Sequence, residues 1–156
     1  TAKREVDKLD LRWSCQKNES LVSSAPRRFT EQITFIGVAD LARSAGFYDG
    51  QLGLPLALDQ GACMLFRSSG TAYVGLCTGL SPRPSDDLIL TLVTTDVNAW
   101  YDALRTQVDV DGPPRYTPQY NITHFFLRDP DGYRLEIQCF HDPKWPSAEP
   151  RSPAAS

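Results

Sequence analysis

ITHFFLRDPDGYRLEIQCF, residues 122–140, reads as two apolar strands, rich in β-branched and aromatic residues, joined by a tight turn. In Asp129-Pro130-Asp131-Gly132, Pro130 presets φ, the two aspartates can bond their own backbone, and Gly132 accepts a positive φ. A plain loop of these residues pairs Arg128 with Tyr133 and sets Phe125 opposite Glu136; a bulge would bring His124 or Phe126 there instead. In the second arm Tyr133, Leu135 and Ile137 alternate with Arg134, Glu136 and Gln138, so Glu136 points away from the apolar face in mid-strand. Spacing alone favours an exposed acid on a solvated sheet face. A carboxylate beside apolar neighbours is the alternative and makes Glu136 a site candidate.

Working back from the hairpin, residues 88–94 form a strand. Asp96 caps a helix over 97–104 with Val97, Trp100, Tyr101 and Leu104 on one face, and 113–118 is a poor edge strand. The same order occurs earlier. A strand at 33–38 leads to Asp40, which caps a helix from Leu41 to about Gln51, closed by Gly53. Leu41, Ala45, Tyr48 and Leu52 share a stripe of that helix, and strands follow at 55–58, 63–67 and 72–77. The Pro- and Ser-rich segment 78–87 separates the copies. A repeated βαβββ order predicts an α+β fold of two similar modules, neither able to bury both faces of its own sheet.

The chain has 156 residues, 41% hydrophobic and 22% charged, which suits one globular domain over 30–141. Residues 1–29 read as a partly flexible N-terminal extension and 142–156 as a Pro-rich tail. The start without Met leads us to expect that an upstream segment is missing. A targeting remnant would account for Ser- and Arg-rich 20–28, but not for Glu5, Asp7 and Asp10. A formal net charge of −3 with scattered arginines argues against nucleic acid as partner. The apolar run at 88–93 is far short of the roughly 20 residues of a membrane helix. Cys15, Cys63, Cys77 and Cys139 show no metal-type spacing and read as reduced thiols in a cytoplasmic protein.

ITFIGVADLARSAGFYDGQLGL at 33–54 and FFLRDPDGYRLEIQ at 125–138 together resemble the vicinal oxygen chelate superfamily, which includes glyoxalase I, bleomycin-resistance proteins and extradiol dioxygenases. The resemblance spans about 33–140. It implies two βαβββ modules whose mixed sheet curls into a half-barrel cup with the helices outside, and a homodimer. In metal-using relatives each module supplies one ligand from its first and one from its fourth strand. Here only Glu136 matches a ligand position; the others fall on Ile33, Gly75 and Ile89, whose side chains have no donor for a cation. No metal and no cofactor is therefore expected.

With the facing that the resemblance implies, Ile33, Phe35, Tyr73, Gly75, Ile89, Thr91, Phe125 and Glu136 line the cup, an apolar, aromatic site for a small hydrophobic or aromatic ligand. Glu136 is its polar anchor and should be neutral or paired with a cation, Arg134 and Arg128 being nearest in sequence. Parity from a plain loop puts His124 on the helix side as a structural residue. Tyr120, His124 and Glu136 are the one catalytic grouping on offer. The expected function is small-molecule binding of the bleomycin-resistance type. The alternative is a metal-dependent lyase, isomerase or dioxygenase with a rearranged site built on Glu136 and His124.

Overall fold

The computed structural model describes residues 29–146. The extension expected at 1–28, most of the expected tail and Cys15 lie outside the described residues. The first module is β1 (Gln32–Gly37), α1 (Leu41–Ala45) continuing as a π-helical segment Gly46–Gln51, then β2 (Leu56–Asp59), β3 (Cys63–Ser69) and β4 (Ala72–Cys77). The second is β5 (Ile89–Val93), α2 (Val97–Leu104), β6 (Arg115–Thr117), β7 (Ile122–Arg128) and β8 (Arg134–Phe140). Both helices begin as their sequences dictate. Asp40 accepts the Arg43 N–H at 3.0 Å and Asp96 the Ala99 N–H at 2.9 Å, each satisfying a donor that has no partner within the helix.

Each module folds into its own four-stranded mixed sheet, ordered β1-β4-β3-β2 and β5-β8-β7-β6. The parallel pairs β1 with β4 and β5 with β8 flank the antiparallel hairpins, which is the duplicated α+β architecture expected. One face of each sheet packs on the helices. Ile36, Val38, Phe47, Leu52, Val74 and Leu76 from the first module join Val97, Leu104, Phe125, Leu127, Leu135 and Ile137 from the second in one buried cluster. At roughly 1.5–3 kcal/mol per fully buried side chain, this shared core dominates the stability of the fold.

The hairpin turn clasps the first module. Asp129 accepts the N–H groups of Asp131 and Tyr133, both at 2.9 Å, and the hydroxyl of Tyr48 at 3.0 Å. Asp131 accepts the Ala39 N–H at 3.2 Å, the Ser44 hydroxyl at 3.0 Å and an Arg43 guanidinium N–H at 2.8 Å. Residues of turn chemistry thus fix α1 of one module against the β7–β8 loop of the other.

The reading of four reduced cysteines is corrected. Cys63 and Cys77 are opposed on β3 and β4 with Cα atoms 4.2 Å apart, and they form a disulfide. In an antiparallel ladder, directly opposed side chains project from the same face and come within bonding reach, a relation that their 14-residue separation does not display. Cys139 is free and half-buried. The cytoplasmic assignment therefore loses the support it drew from reduced thiols. No helix among the described residues is long and apolar enough to cross a membrane.

Candidate functional site

The site is set by where the β7–β8 turn closes. Asp129 N–H donates to the Tyr133 carbonyl at 3.0 Å, so the ladder pairs Arg128 with Arg134 rather than with Tyr133. Phe126 then faces Glu136, His124 faces Gln138, and Phe125 faces Ile137. Two expectations fall together. Phe125 is not in the cup; it is 2% exposed in the helix-side core, edge-on to Tyr101. His124, expected on the helix side, lies with Glu136 on the opposite face. A one-residue change of register exchanges the faces of a strand, and Tyr133 causes it here by committing its N–H and C=O to Asp129 and its ring to the core.

That face of the second sheet carries an open cavity of about 630 Å³ lined by Ile89, Arg115, Thr117, Tyr120, Ile122, His124, Phe126, Arg134, Glu136, Gln138 and Phe140. Glu136 is 8% exposed and His124 6%, so the solvated-acid reading of Glu136 is overturned. Its partner is also not an arginine, since Glu136 Oε1 meets His124 Nδ1 at 2.5 Å. Thr91, beside Glu136 on the parallel neighbour β5, donates its hydroxyl to Oε2 at 2.9 Å. On the far side of the imidazole, Nε2 lies 2.9 Å from the Thr117 hydroxyl.

A chain of side chains thus runs Thr117, His124, Glu136, Thr91, with both carboxylate oxygens engaged. With Nδ1–H donated to Glu136, Nε2 accepts the Thr117 hydroxyl or, when protonated, donates to it. A ligand group that displaces Thr117 meets a nitrogen that can give or take a proton, backed by a carboxylate. Burial makes such a pair matter more than it would in water, because a desolvated polar group without its partner is costly.

The remaining expected residues are spread over two sheets. Ile89 and Glu136 line the cavity, and Thr91 reaches it through its bond to Glu136. Tyr120 stands on the rim, 63% exposed, with no hydrogen bond to His124 or Glu136. Ile33, Phe35, Tyr73 and Gly75 belong to β1 and β4 of the first sheet and do not line this cavity, whose named lining residues all come from the second module. Arg115, Thr117, Ile122, Gln138 and Phe140 also line the wall and were missed, while Phe126 was offered only for a bulged turn and Arg134 only as a partner for Glu136. Arg134 was legible in principle, since it lies two residues before Glu136 on the same strand face.

The divalent ion used by relatives does not fit these residues. Phe35's ring fills the space that a Cβ on Gly75 would take, and Ile33 and Ile89 offer carbon only. Glu136 and His124 are brought together as a rearranged site requires, but they are bonded to each other. Among the described residues no group of three or more His, Cys, Asp or Glu side chains is placed to hold an ion.

Residues 31–137 match the family model of the glyoxalase/bleomycin resistance protein/dioxygenase superfamily. No curated protein sequence matches the chain. Among solved structures, a glyoxalase/bleomycin resistance protein/dioxygenase from Nocardioides is similar at TM-score 0.61 and 19% identity, over 80% of this chain and 92% of that one. A superfamily member from Sphaerobacter thermophilus DSM 20745 is similar at 0.61 and 20% identity, over 72% and 98%. A glyoxalase-related enzyme from Fulvimarina pelagi is similar at 0.61 and 19% identity, over 76% and 91%. At these identities the structures speak to fold alone, while the family model covers more than half the chain. The two βαβββ modules, their paired mixed sheets and the matched segment make this chain a member of the glyoxalase/bleomycin resistance protein/dioxygenase superfamily.

Proposed function

We propose that this chain is a small-molecule-binding protein of the bleomycin-resistance type, taking a small apolar or aromatic ligand in the cavity of the second sheet. The Glu136–His124 pair is its polar anchor. The observation that carries this reading is the position of the pair. A buried, hydrogen-bonded carboxylate and imidazole lie on the wall of an open cavity, among Ile89, Ile122, Phe126 and Phe140, instead of within a solid core. Concave apolar walls with a few converging polar groups are what small-molecule sites share.

The test is a thermal-shift screen of aromatic probes against the wild type, Glu136→Gln and His124→Asn. A ligand selective for the native state raises the melting temperature in proportion to RT ln(1 + [L]/Kd). A hydroxylated or amine-bearing probe is expected to lose roughly 1.5–3 kcal/mol of affinity in the variants, the range for a hydrogen bond to a charged group. Equal binding to all three proteins would remove the pair from the site. The absence of any shift across the panel would remove the cavity.

A further inference from the structure

The cavity's charge is not balanced by its own residues. Its one carboxylate, Glu136, is engaged by His124 and Thr91. Two guanidinium groups, of Arg115 and Arg134, share the same wall, and neither has an ion-pair partner among the described residues. Asp86, outside the cavity, senses the charge of Arg134, but it is bonded to Arg128 at 2.9 Å.

Both guanidiniums lie against one aromatic ring. The Arg134 guanidinium carbon is 3.8 Å from the centroid of Phe126, and that of Arg115 is 5.9 Å away. Register explains the convergence, because Arg115 is opposite His124, Phe126 is opposite Glu136, and Arg134 is two residues before Glu136 on β8. Stacking on the ring satisfies the face of the Arg134 guanidinium and leaves its in-plane N–H donors to seek acceptors. At least one has none: Arg134 Nε is buried without a hydrogen-bond partner, the one such side-chain atom among the described residues. A permanently charged guanidinium with an unmet donor is costly, and the fold keeps it beside an opening where an acceptor can reach its remaining N–H groups, though not the buried Nε.

We infer that the ligand of this cavity carries an oxyanion, a carboxylate, sulfonate or phosphate, on an apolar or aromatic body. The anion pairs with Arg134 and Arg115 while the body packs against Phe126, Ile122 and Phe140. A planar guanidinium held by stacking offers two parallel N–H groups, the geometry that oxyanions accept in bidentate fashion. This inference rests on the proposed small-molecule reading of the same cavity.

The experiment compares two fluorescent probes that share one aromatic body, 8-anilinonaphthalene-1-sulfonate and uncharged N-phenyl-1-naphthylamine, on the full chain. Wild-type protein is expected to bind the sulfonate more tightly by about ten- to hundredfold, the range a hydrogen bond to a charged group supplies. Arg134→Met and Arg115→Met should each erase most of that preference, read within each variant as the ratio of its affinities for the two probes. Arg134→Lys should fall between, because it keeps the charge and loses the fork. If Arg134→Met does not fold, Arg115→Met and Arg134→Lys carry the test. Equal affinity for both probes overturns the anion inference and leaves the cavity reading standing. A preference for the sulfonate that survives both methionine variants also overturns it. Failure of both probes to bind removes the cavity reading, and this inference with it.

Discussion

Glu136 and His124 each make the other's burial tolerable. Removing one partner of such a pair strands a desolvated polar group, whereas removing both leaves an apolar patch. His124→Ala is expected to destabilise the protein by about 3 kcal/mol or more, with Thr91 as the carboxylate's one remaining partner. The double variant His124→Leu/Glu136→Leu is expected near wild-type stability, and it should bind hydroxylated or amine-bearing probes no better than their unsubstituted parents. Urea titration of the wild type, His124→Leu, Glu136→Leu and the double variant measures the coupling; additive losses would mean the pair is not a unit. A second contrast concerns two glycines. A Cβ on Gly37 would sit against the backbone carbonyl oxygens of Leu80 and Ser81, whereas one on Gly75 would meet the half-exposed ring of Phe35. Gly37→Ala should cost roughly 1–3 kcal/mol because backbone must move, and Gly75→Ala within about 1 kcal/mol because a ring can turn. Equal melting temperatures for the two would contradict that packing.

Among the elements, the β7–β8 turn does more than reverse the chain. Burial, ahead of its hydrogen bonds, raises the Asp129 carboxyl above its ordinary 3.8, and Asp129 is joined to Tyr48, whose phenol is held well above 10.0 by burial and then by the Asp129 charge. Tyr48 therefore stays protonated and remains the donor. The sign of the pH dependence follows. The native state holds the Asp129 proton more tightly than the unfolded chain does, so this residue's contribution is fullest below pH 3.8 and is lost as pH rises through its raised native value. Asp129→Asn keeps both backbone acceptor bonds and can still bond the Tyr48 hydroxyl, but it does not titrate. Relative to that variant, the wild type should gain stability on acidification through the window and lose it on the return. Parallel denaturation curves against pH check this, and a constant difference between the two proteins would show that Asp129 does not titrate from a buried position.

At the scale of the whole molecule, apolar surface remains uncovered. Phe35 is 50% exposed and Leu58 48% on the first sheet, and Val93 48% on β5 of the second. Unpaired apolar faces and sheet edges are surfaces that a second copy can cover, and on that ground we propose a homodimer with an isologous interface. Light scattering at micromolar concentration measures it. Phe35→Glu should shift the distribution towards monomer without loss of helix and strand signal. A monomeric wild type would mean that these side chains are simply solvent-exposed.

Periodicity and local chemistry carried the order of elements on their own. The two βαβββ runs, the caps at Asp40 and Asp96, and the alternation of Leu135 and Ile137 with Glu136 each depend on neighbours a few residues apart, and they formed as read. What needed the tertiary structure was register. Asp129-Pro130-Asp131-Gly132 announces a turn, but Tyr133 bonds back to Asp129 and turns its ring into the core, so pairing resumes at Arg134. That single step moved Phe125 into the core and brought His124 and Phe126 to Glu136, because side chains alternate faces at every residue. The disulfide, the confinement of the cavity to one sheet and the unpaired donor of Arg134 are hidden for the same reason. Each is a relation between strands, decided by which residues the packed sheets set side by side.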